Sequence, residues 1–102
     1  MIQQKSDLFA LLSKHELELK QLGVRRLGVF GSFVSGLQNE QSDIDILVEF
    51  EKGKKSFDNF MKLASFLEQR IGRRVEVVTP ESLSPHIGPY ILREVEYASS
   101  SS

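Results

Sequence analysis

Residues 29–48 read VFGSFVSGLQNEQSDIDILV. This stretch decides the fold because it holds two strand patterns, and the segment between them contains Gly31 and Gly36. An apolar run ends at Gly31-Ser32, and acidic and apolar residues then alternate from Asp43 onward. Alternation with a period of two is typical of a strand. Because residues i and i+2 of a strand project from the same face, Asp43 and Asp45 are predicted to lie side by side, with the isoleucines next to them turned the other way.

The two acids predict a metal site. Two adjacent carboxylates repel each other, and such a pair is stable mainly when a cation lies between them. Hard oxygen ligands of this kind suit Mg²⁺ or Mn²⁺ rather than zinc. Taken alone, Asp43 and Asp45 fit solvated acids on an edge strand equally well, and Gly31-Ser32 alone is typical of a tight turn. Their combination at fixed spacing, with Gly36 between them, favours a functional site.

The segment directly after the first strand predicts a phosphate site. Ser32 can cap a short helix over residues 33–35 that Gly36 ends. A helix that begins directly after a strand offers unpaired backbone N–H groups and a partial positive charge, which favour phosphate. Glycine at position 31 lets a phosphate approach the backbone closely.

Composition indicates one globular domain. Of the 102 residues, 40% are apolar and 26% are charged, which is ordinary for a globular protein with a modest core. We expect a single domain over residues 1–98 and a disordered serine tail at 99–102. The formal net charge of -1 argues against a general nucleic-acid binder.

The sequence also bounds the compartment and the chemistry. No apolar run is long enough to cross a membrane and the N-terminus has no signal-peptide character, so we expect a cytoplasmic protein that does not contact membranes. The absence of cysteine excludes disulfides, thiolate zinc sites and a cysteine nucleophile.

Helix and strand patterns alternate along the chain. Their predicted order is a helix from Ser6-Asp7 to Gly23, a strand from Val24 to Phe30, the short helix, the acidic strand to Val48, a polar turn over 49–55, a helix from Ser56 or Asp58 to Gly72, a strand over 75–79, and a last helix with Ile91, Leu92 and Val95 on one side. This order predicts a small α/β sandwich in which helices pack against a sheet of about three strands.

Glu76 is a third candidate acid. It lies among valines in the predicted third strand, where a buried carboxylate needs a partner because burying it alone costs several kcal/mol or forces it to take up a proton. The alternative is an exposed glutamate on an edge strand, paired with an arginine.

The pattern from Gly31-Ser32 to Asp43-x-Asp45 resembles the signature of the polymerase β-like nucleotidyltransferase superfamily. In chain length and in the residues of this motif it is most similar to the minimal nucleotidyltransferase (MNT) branch. Many members of this branch are antitoxins encoded beside HEPN-domain toxins. The resemblance implies a small nucleotidyltransferase fold with a short mixed sheet.

The resemblance also implies roles for individual residues. The nucleoside triphosphate is expected to bind at the glycine and serine positions of the pattern, which are Gly31, Ser32, Gly36 and Ser42. Asp43, Asp45 and Glu76 are the expected catalytic residues and the ligands of two Mg²⁺ or Mn²⁺ ions.

The activity that the resemblance implies is transfer of AMP from MgATP to a tyrosine hydroxyl of a cognate HEPN ribonuclease toxin. Two alternatives stay open: a weak or inactive MNT protein that neutralises its toxin by binding alone, and nucleotidyl transfer to a small molecule. Two differences from the usual MNT sequence motif bear on these alternatives. Ser35 stands where many MNT sequences carry a basic residue, and Glu76 stands where aspartate is usual.

Overall fold

The structure, a computed structural model, describes residues 2, 4–36 and 43–98. Within these residues the elements follow in the order α1 (Lys5–Lys14), α2 (Glu16–Gln21), β1 (Val24–Phe30), α3 (Ser32–Ser35), β2 (Ile44–Phe50), α4 (Phe57–Ile71), β3 (Val75–Val78), a 3₁₀ turn (Pro80–Ser82), α5 (Gly88–Glu94) and β4 (Glu96–Tyr97). The predicted serine tail and the candidate Ser42 lie outside the described residues.

The strands form one mixed sheet in the order β3-β2-β1-β4. Strand β1 runs antiparallel to both β2 and β4, whereas β2 and β3 are parallel. The α/β class and the mixed sheet are therefore as predicted, but the sheet has four strands instead of about three. The additional strand β4 is two residues long and pairs Tyr97 with Gly28 and Glu96 with Val29. Such a short segment carries no periodicity, so only its pairing with β1 defines it as a strand.

Several predicted boundaries are confirmed. Strand β1 begins and ends where expected, and α3 ends at Gly36, whose backbone is left-handed. Helix α4 is capped by Ser56, whose hydroxyl accepts a hydrogen bond from the Asn59 N–H at 3.1 Å, and it ends at Gly72. These boundaries are set by capping residues, which act locally.

Three predicted boundaries are wrong. The first helix is broken at His15 (φ -103°, ψ 20°) into α1 and α2. Ser32 is the first helical residue of α3, and Gly31 takes the cap position. Strand β2 continues through Glu49 and Phe50 instead of ending in a polar turn, because both residues pair with β1. The polar character of Glu49 hid this extension.

The two faces of the sheet differ. On β2, Ile44, Ile46 and Val48 are fully buried and belong to the main core, together with side chains of the helices: Leu8, Leu12, Leu63 and Leu67. The opposite face, which we call the front face, carries Asp45, Leu47 and Glu49 of β2, because side chains alternate along a strand. The predicted orientation of the isoleucines is confirmed.

The chain that follows α5 crosses the front face closely. A Cβ atom at Gly28 would lie 2.6 Å from Val95 Cγ2 and 3.0 Å from Tyr97 Cδ1. Only glycine therefore lets this segment pack on β1. Helix α5 and the first residues of β2 are brought to the same side of the sheet by this packing. In the described part of the chain, no helix is both long enough and apolar enough to span a membrane.

Candidate active site

The site lies at the end of the sheet where β1 finishes and β2 and β3 begin. Asp45 is the central residue, because it is opposite Phe30 on β1 and opposite Glu76 on β3. The glycine that follows Phe30 therefore lies beside Asp45, and the Glu76 carboxyl lies on the other side of it. Asp43 directly precedes β2.

Asp45 and Glu76 interact directly. Burial of the half-buried Asp45, the charge of Glu76 and a side-chain hydrogen bond with Glu76 raise the pKa of Asp45 from 3.8 to about 6. Negative charges at Asp43 and Glu94 act in the same direction. Below a pH of about 6, a proton on Asp45 therefore relieves the repulsion between the two carboxyl groups, as a bound cation would.

The donor chemistry fits a hard divalent cation, but the geometry is not that of a closed metal site. Carboxylate oxygens are the ligands that Mg²⁺ and Mn²⁺ prefer. Asp43 and Glu76 are exposed, and Asp45 is half-buried between them. Across residues 2, 4–36 and 43–98, no three histidine, cysteine or acidic side chains are arranged so that they could hold a metal ion. Glu76 is exposed on an edge strand, which agrees with the second of the two predictions for this residue. Its side chain interacts with Asp45, however, and not with an arginine.

Gly31 is required by both its conformation and its surroundings. Its backbone (φ 76°, ψ -147°) lies in a region that is essentially restricted to glycine. A Cβ atom at this position would overlap the Asp45 carboxylate oxygen Oδ2. The turn therefore brings backbone against the central acid in a way that no other residue allows.

Two backbone donors of the turn have no acceptor among the described residues. The Gly31 carbonyl accepts hydrogen bonds from the Val34 and Ser35 N–H groups at 3.1 Å each and so begins α3. No described residue accepts a hydrogen bond from the Ser32 or Phe33 N–H. These two amides are available to an anion.

Gly36 and Ser35, at the end of α3, contribute differently to the structure of this segment. Gly36 has φ 82°, but no atom lies within 4 Å of a Cβ built there, so it is needed for its conformation alone. Ser35 is exposed, and its hydroxyl donates to the Ser32 carbonyl at 3.3 Å.

Sequence reasoning missed Glu94. This residue ends α5, and its Oε1 accepts a hydrogen bond from the Gly31 N–H at 2.9 Å. It also contributes to the raised pKa of Asp45. An acid at the end of a short helix gives no sequence signal for such a contact. The contact arises because the fold brings α5 to the end of β1.

A groove of about 770 Å³, lined by both basic and acidic side chains, lies at the other end of the front face. Glu49 accepts hydrogen bonds there from Arg25 at 3.0 Å and from Arg26 at 2.9 Å. Burial alone would raise the pKa of Glu49, but the hydrogen bonds and charges of the two arginines outweigh it and lower that pKa. Lys55 pairs with Glu81 at 2.6 Å. The arginine pair therefore neutralises the charge of an acid of β2.

Comparison with known proteins identifies the family. Residues 12–98 match the profile of the Nucleotidyltransferase domain family. The chain belongs to this family. A relative from Thermococcus cleftensis, named protein adenylyltransferase MntA, is 44% identical over 92 residues, which are 89% of this chain and 92% of the relative.

Solved structures agree with this membership. A chain described as a minimal nucleotidyltransferase is 34% identical, with a TM-score of 0.72 over 87% of this chain and 93% of that chain. An 18% identical chain comes from the complex of a tri-AMPylated HEPN toxin of Shewanella oneidensis with an MNT antitoxin, with a TM-score of 0.65 over 92% of this chain and 73% of that chain. At this low identity the second likeness shows the fold alone. The predicted minimal nucleotidyltransferase fold is confirmed.

Proposed function

We propose that this nucleotidyltransferase transfers AMP from MgATP to a tyrosine hydroxyl of a HEPN-domain toxin and thereby silences the toxin. The observation that carries the proposal is the junction of Asp45 and Glu76 with the Gly31 turn at one end of the sheet. The relative named protein adenylyltransferase and the fold neighbour taken from an MNT–HEPN complex support the choice of nucleotide and partner.

Asp43, Asp45 and Glu76 are the residues that would hold the divalent ions. Bound Mg²⁺ or Mn²⁺, in two ions, would neutralise triphosphate charge and lower the pKa of the attacking hydroxyl. Because the raised pKa of Asp45 keeps a proton on this carboxyl below a pH of about 6 in the metal-free protein, cation binding has to release that proton in acidic solution. We therefore expect metal affinity to rise as the pH passes through about 6.

The glycine turn would hold the triphosphate. The free Ser32 and Phe33 N–H groups are donors for phosphate oxygens, and donors fixed in place before the reaction stabilise charge that develops in the transition state. The Gly31 N–H is already bonded to Glu94, so Gly31 contributes mainly by its shape. Gly36 and Ser42 complete the proposed nucleotide-binding set.

The transfer itself needs no covalent intermediate with this chain. The tyrosine oxygen attacks the α-phosphorus in line, a new P–O bond forms, and the bond from the α-phosphorus to the bridging oxygen breaks to release pyrophosphate. The hydroxyl proton leaves to solvent or to a carboxylate of the site. The chain's role is to position the reactants and to balance charge.

The surface of α5 favours a protein acceptor over a small molecule. Ile87, at its N-cap, and Tyr90, three positions further on, are 56% and 67% exposed and share one side of the helix, whereas Leu92, which is 47% exposed, lies on another side. Large apolar side chains exposed together are typical of a protein contact surface. The same helix ends at Glu94, beside the proposed catalytic turn. A partner that covers α5 would therefore have its own side chains close to Asp45.

The proposal is tested by label transfer to a HEPN-domain toxin that co-purifies with this chain. The purified pair is incubated with MgATP labelled at the α-phosphate, and we expect label on a tyrosine of the partner and loss of its ribonuclease activity. The double variant Asp43→Asn, Asp45→Asn should transfer no label. The matched control is Asp58→Asn, which removes an exposed acid paired with Lys62 on α4 and should leave transfer unchanged.

Neutralisation by binding alone remains a second candidate, and two observations favour it. The described acids are not arranged as a closed metal site, and the exposed Ser35 supplies no positive charge for the triphosphate. This candidate predicts that the partner is inactive in the complex without label, and that the double variant silences it equally well. That result would refute the enzymatic proposal.

A further inference from the structure

Helix α5 is tied to the proposed catalytic turn by one contact. The Glu94 side chain accepts a hydrogen bond from the Gly31 N–H at 2.9 Å. This is a hydrogen bond between a charged acceptor and a backbone donor, which is about twice as strong as one between neutral groups. It joins residues that are 63 positions apart in the chain.

Gly31 is thereby held at both of its backbone polar groups. Its carbonyl is bonded to the N–H groups of Val34 and Ser35 in α3, and its N–H is bonded to Glu94 of α5. Glycine is the residue with the most backbone freedom, so a glycine at a functional turn needs such contacts to keep a single conformation. The backbone angles of Gly31 are thus set by two different helices.

Those angles decide two features of the proposed site. One is the approach of Gly31 to the Asp45 carboxylate, which is too close to admit a Cβ atom. The other is the direction of the free Ser32 N–H, which directly follows Gly31 in the chain. Rotation about the Gly31 bonds would move the triphosphate donors relative to the metal-binding acids.

We propose that Glu94 is a positioning residue for nucleotidyl transfer, which fixes Gly31 so that Asp45 and the Ser32 amide face the same triphosphate. This inference rests on the proposed function. The contrary possibility is that Glu94 occupies an amide that a phosphate needs and so hinders nucleotide binding. The two possibilities predict opposite effects when the contact is removed.

Two substitutions separate the acceptor role of Glu94 from its charge. Glu94→Gln keeps the side-chain carbonyl oxygen that can accept from Gly31 and removes the negative charge. Glu94→Ala removes both. Glu96 provides the matched controls Glu96→Gln and Glu96→Ala, because it is an exposed acid two residues along the chain whose partner is Lys5 at 3.0 Å.

The first measurement is exchange of the Gly31 amide hydrogen with solvent in the metal-free and nucleotide-free chain, followed by NMR. We expect exchange to be accelerated in Glu94→Ala, largely restored in Glu94→Gln and unchanged in both Glu96 variants. Because it uses neither ATP nor an acceptor, this measurement tests the contact independently of activity. Equal exchange rates in wild type and Glu94→Ala would overturn the inference.

The second measurement is the rate of AMP transfer together with the affinity for MgATP from calorimetry. Misplacement by about 1 Å lowers rates by about 100-fold. We therefore expect kcat to fall by about 10- to 100-fold in Glu94→Ala and to stay within about threefold of wild type in Glu94→Gln. If Glu94→Ala transfers AMP at the wild-type rate or faster, or if Glu94→Gln is as slow as Glu94→Ala, Glu94 does not position the turn.

Failure of the proposed function can be told apart from failure of this inference. If the wild type binds MgATP but transfers no AMP, the proposed function is wrong, and weaker MgATP binding in Glu94→Ala, restored in Glu94→Gln, still supports positioning of the triphosphate. If the wild type binds no MgATP, both proposals are refuted. If the wild type transfers AMP and the Glu94 variants do so equally, only the inference is refuted.

Discussion

Replacing Asp45 by asparagine should stabilise the metal-free protein. Asp45 is surrounded by other acids, and burial together with the Glu76 charge raises its pKa from 3.8 to about 6. At about 1.4 kcal/mol per pKa unit, this difference corresponds to about 3 kcal/mol of unfavourable free energy for the ionised form. Because Asp45 is only half-buried, solvent screening reduces this value, and we expect Asp45→Asn to raise the free energy of unfolding by about 1–2 kcal/mol at pH 8.

The gain should depend on pH in a defined direction. Between pH 3.8 and about 6 the folded protein holds a proton on Asp45 that the unfolded chain has lost. The contribution of Asp45 to stability therefore falls as the pH rises through this window. Below pH 3.8 the side chain is protonated in both states and resembles asparagine. The difference between variant and wild type should thus be largest at pH 8 and nearly absent at pH 3.5.

The assay is urea and thermal unfolding of both proteins in the presence of a metal chelator across this pH range. A gain of 1 kcal/mol should raise Tm by about 4 °C or more in a domain of this size. The control Asp58→Asn removes an exposed acid that pairs with Lys62 at 3.0 Å, and it should lower stability by about 0.3–0.5 kcal/mol. The reasoning is refuted if Asp45→Asn is less stable than wild type at pH 8, or if its gain is the same at pH 3.5.

Three further predictions concern other parts of the fold. Gly31→Ala should abolish MgATP binding in calorimetry and lower the free energy of unfolding by about 3 kcal/mol or more, since its Cβ would overlap Asp45 in a strained backbone. Gly36→Ala has the same sign of φ but open surroundings, and it should lower the free energy of unfolding by only about 1 kcal/mol. Leu67→Ala should lower the free energy of unfolding by about 2–5 kcal/mol in urea, because Leu67 is fully buried in the main core. Glu49→Gln should lower Tm at pH 7, where its arginine partners stabilise the ionised form, and the difference should decrease as the pH falls from 4.5 toward the lowered pKa of Glu49 in the folded protein.

Each of these predictions has a contrary result. Equal losses in Gly31→Ala and Gly36→Ala would show that backbone conformation, not the contact with Asp45, sets the requirement for glycine at position 31. A loss below about 1 kcal/mol in Leu67→Ala would show that the core can close around the missing side chain. A Tm difference for Glu49→Gln that is as large at pH 3 as at pH 7 would show that the hydrogen bonds of Glu49 stabilise the fold without its charge.

Much of the site was predictable because its signals are local. Strand alternation correctly separated Asp45 from the buried isoleucines beside it, and the glycines marked the turn and the end of α3, whereas Asp43 lies just before β2. The burial of Ile44 and Ile46 follows from the same alternation. Errors appeared where a local signal was absent, as at the break between α1 and α2, or misleading, as at Glu49, whose charge suggested a turn.

The sequence by itself determined most of the helices and strands, the α/β class and the chemical character of the site, because hydrophobic periodicity and capping residues act within a few positions of one another. Tertiary structure alone decided which distant groups meet. In the folded chain Glu76 lies beside Asp45, and β4 forms a fourth strand of the sheet. Glu49 binds two arginines, and Glu94 accepts a hydrogen bond from the Gly31 amide, 63 positions away in the chain. The physical reason is that such contacts depend on strand order and on the path of the chain over the sheet. Packing of the whole core sets the strand order and the path of the chain, and neither can be predicted from a short stretch of residues.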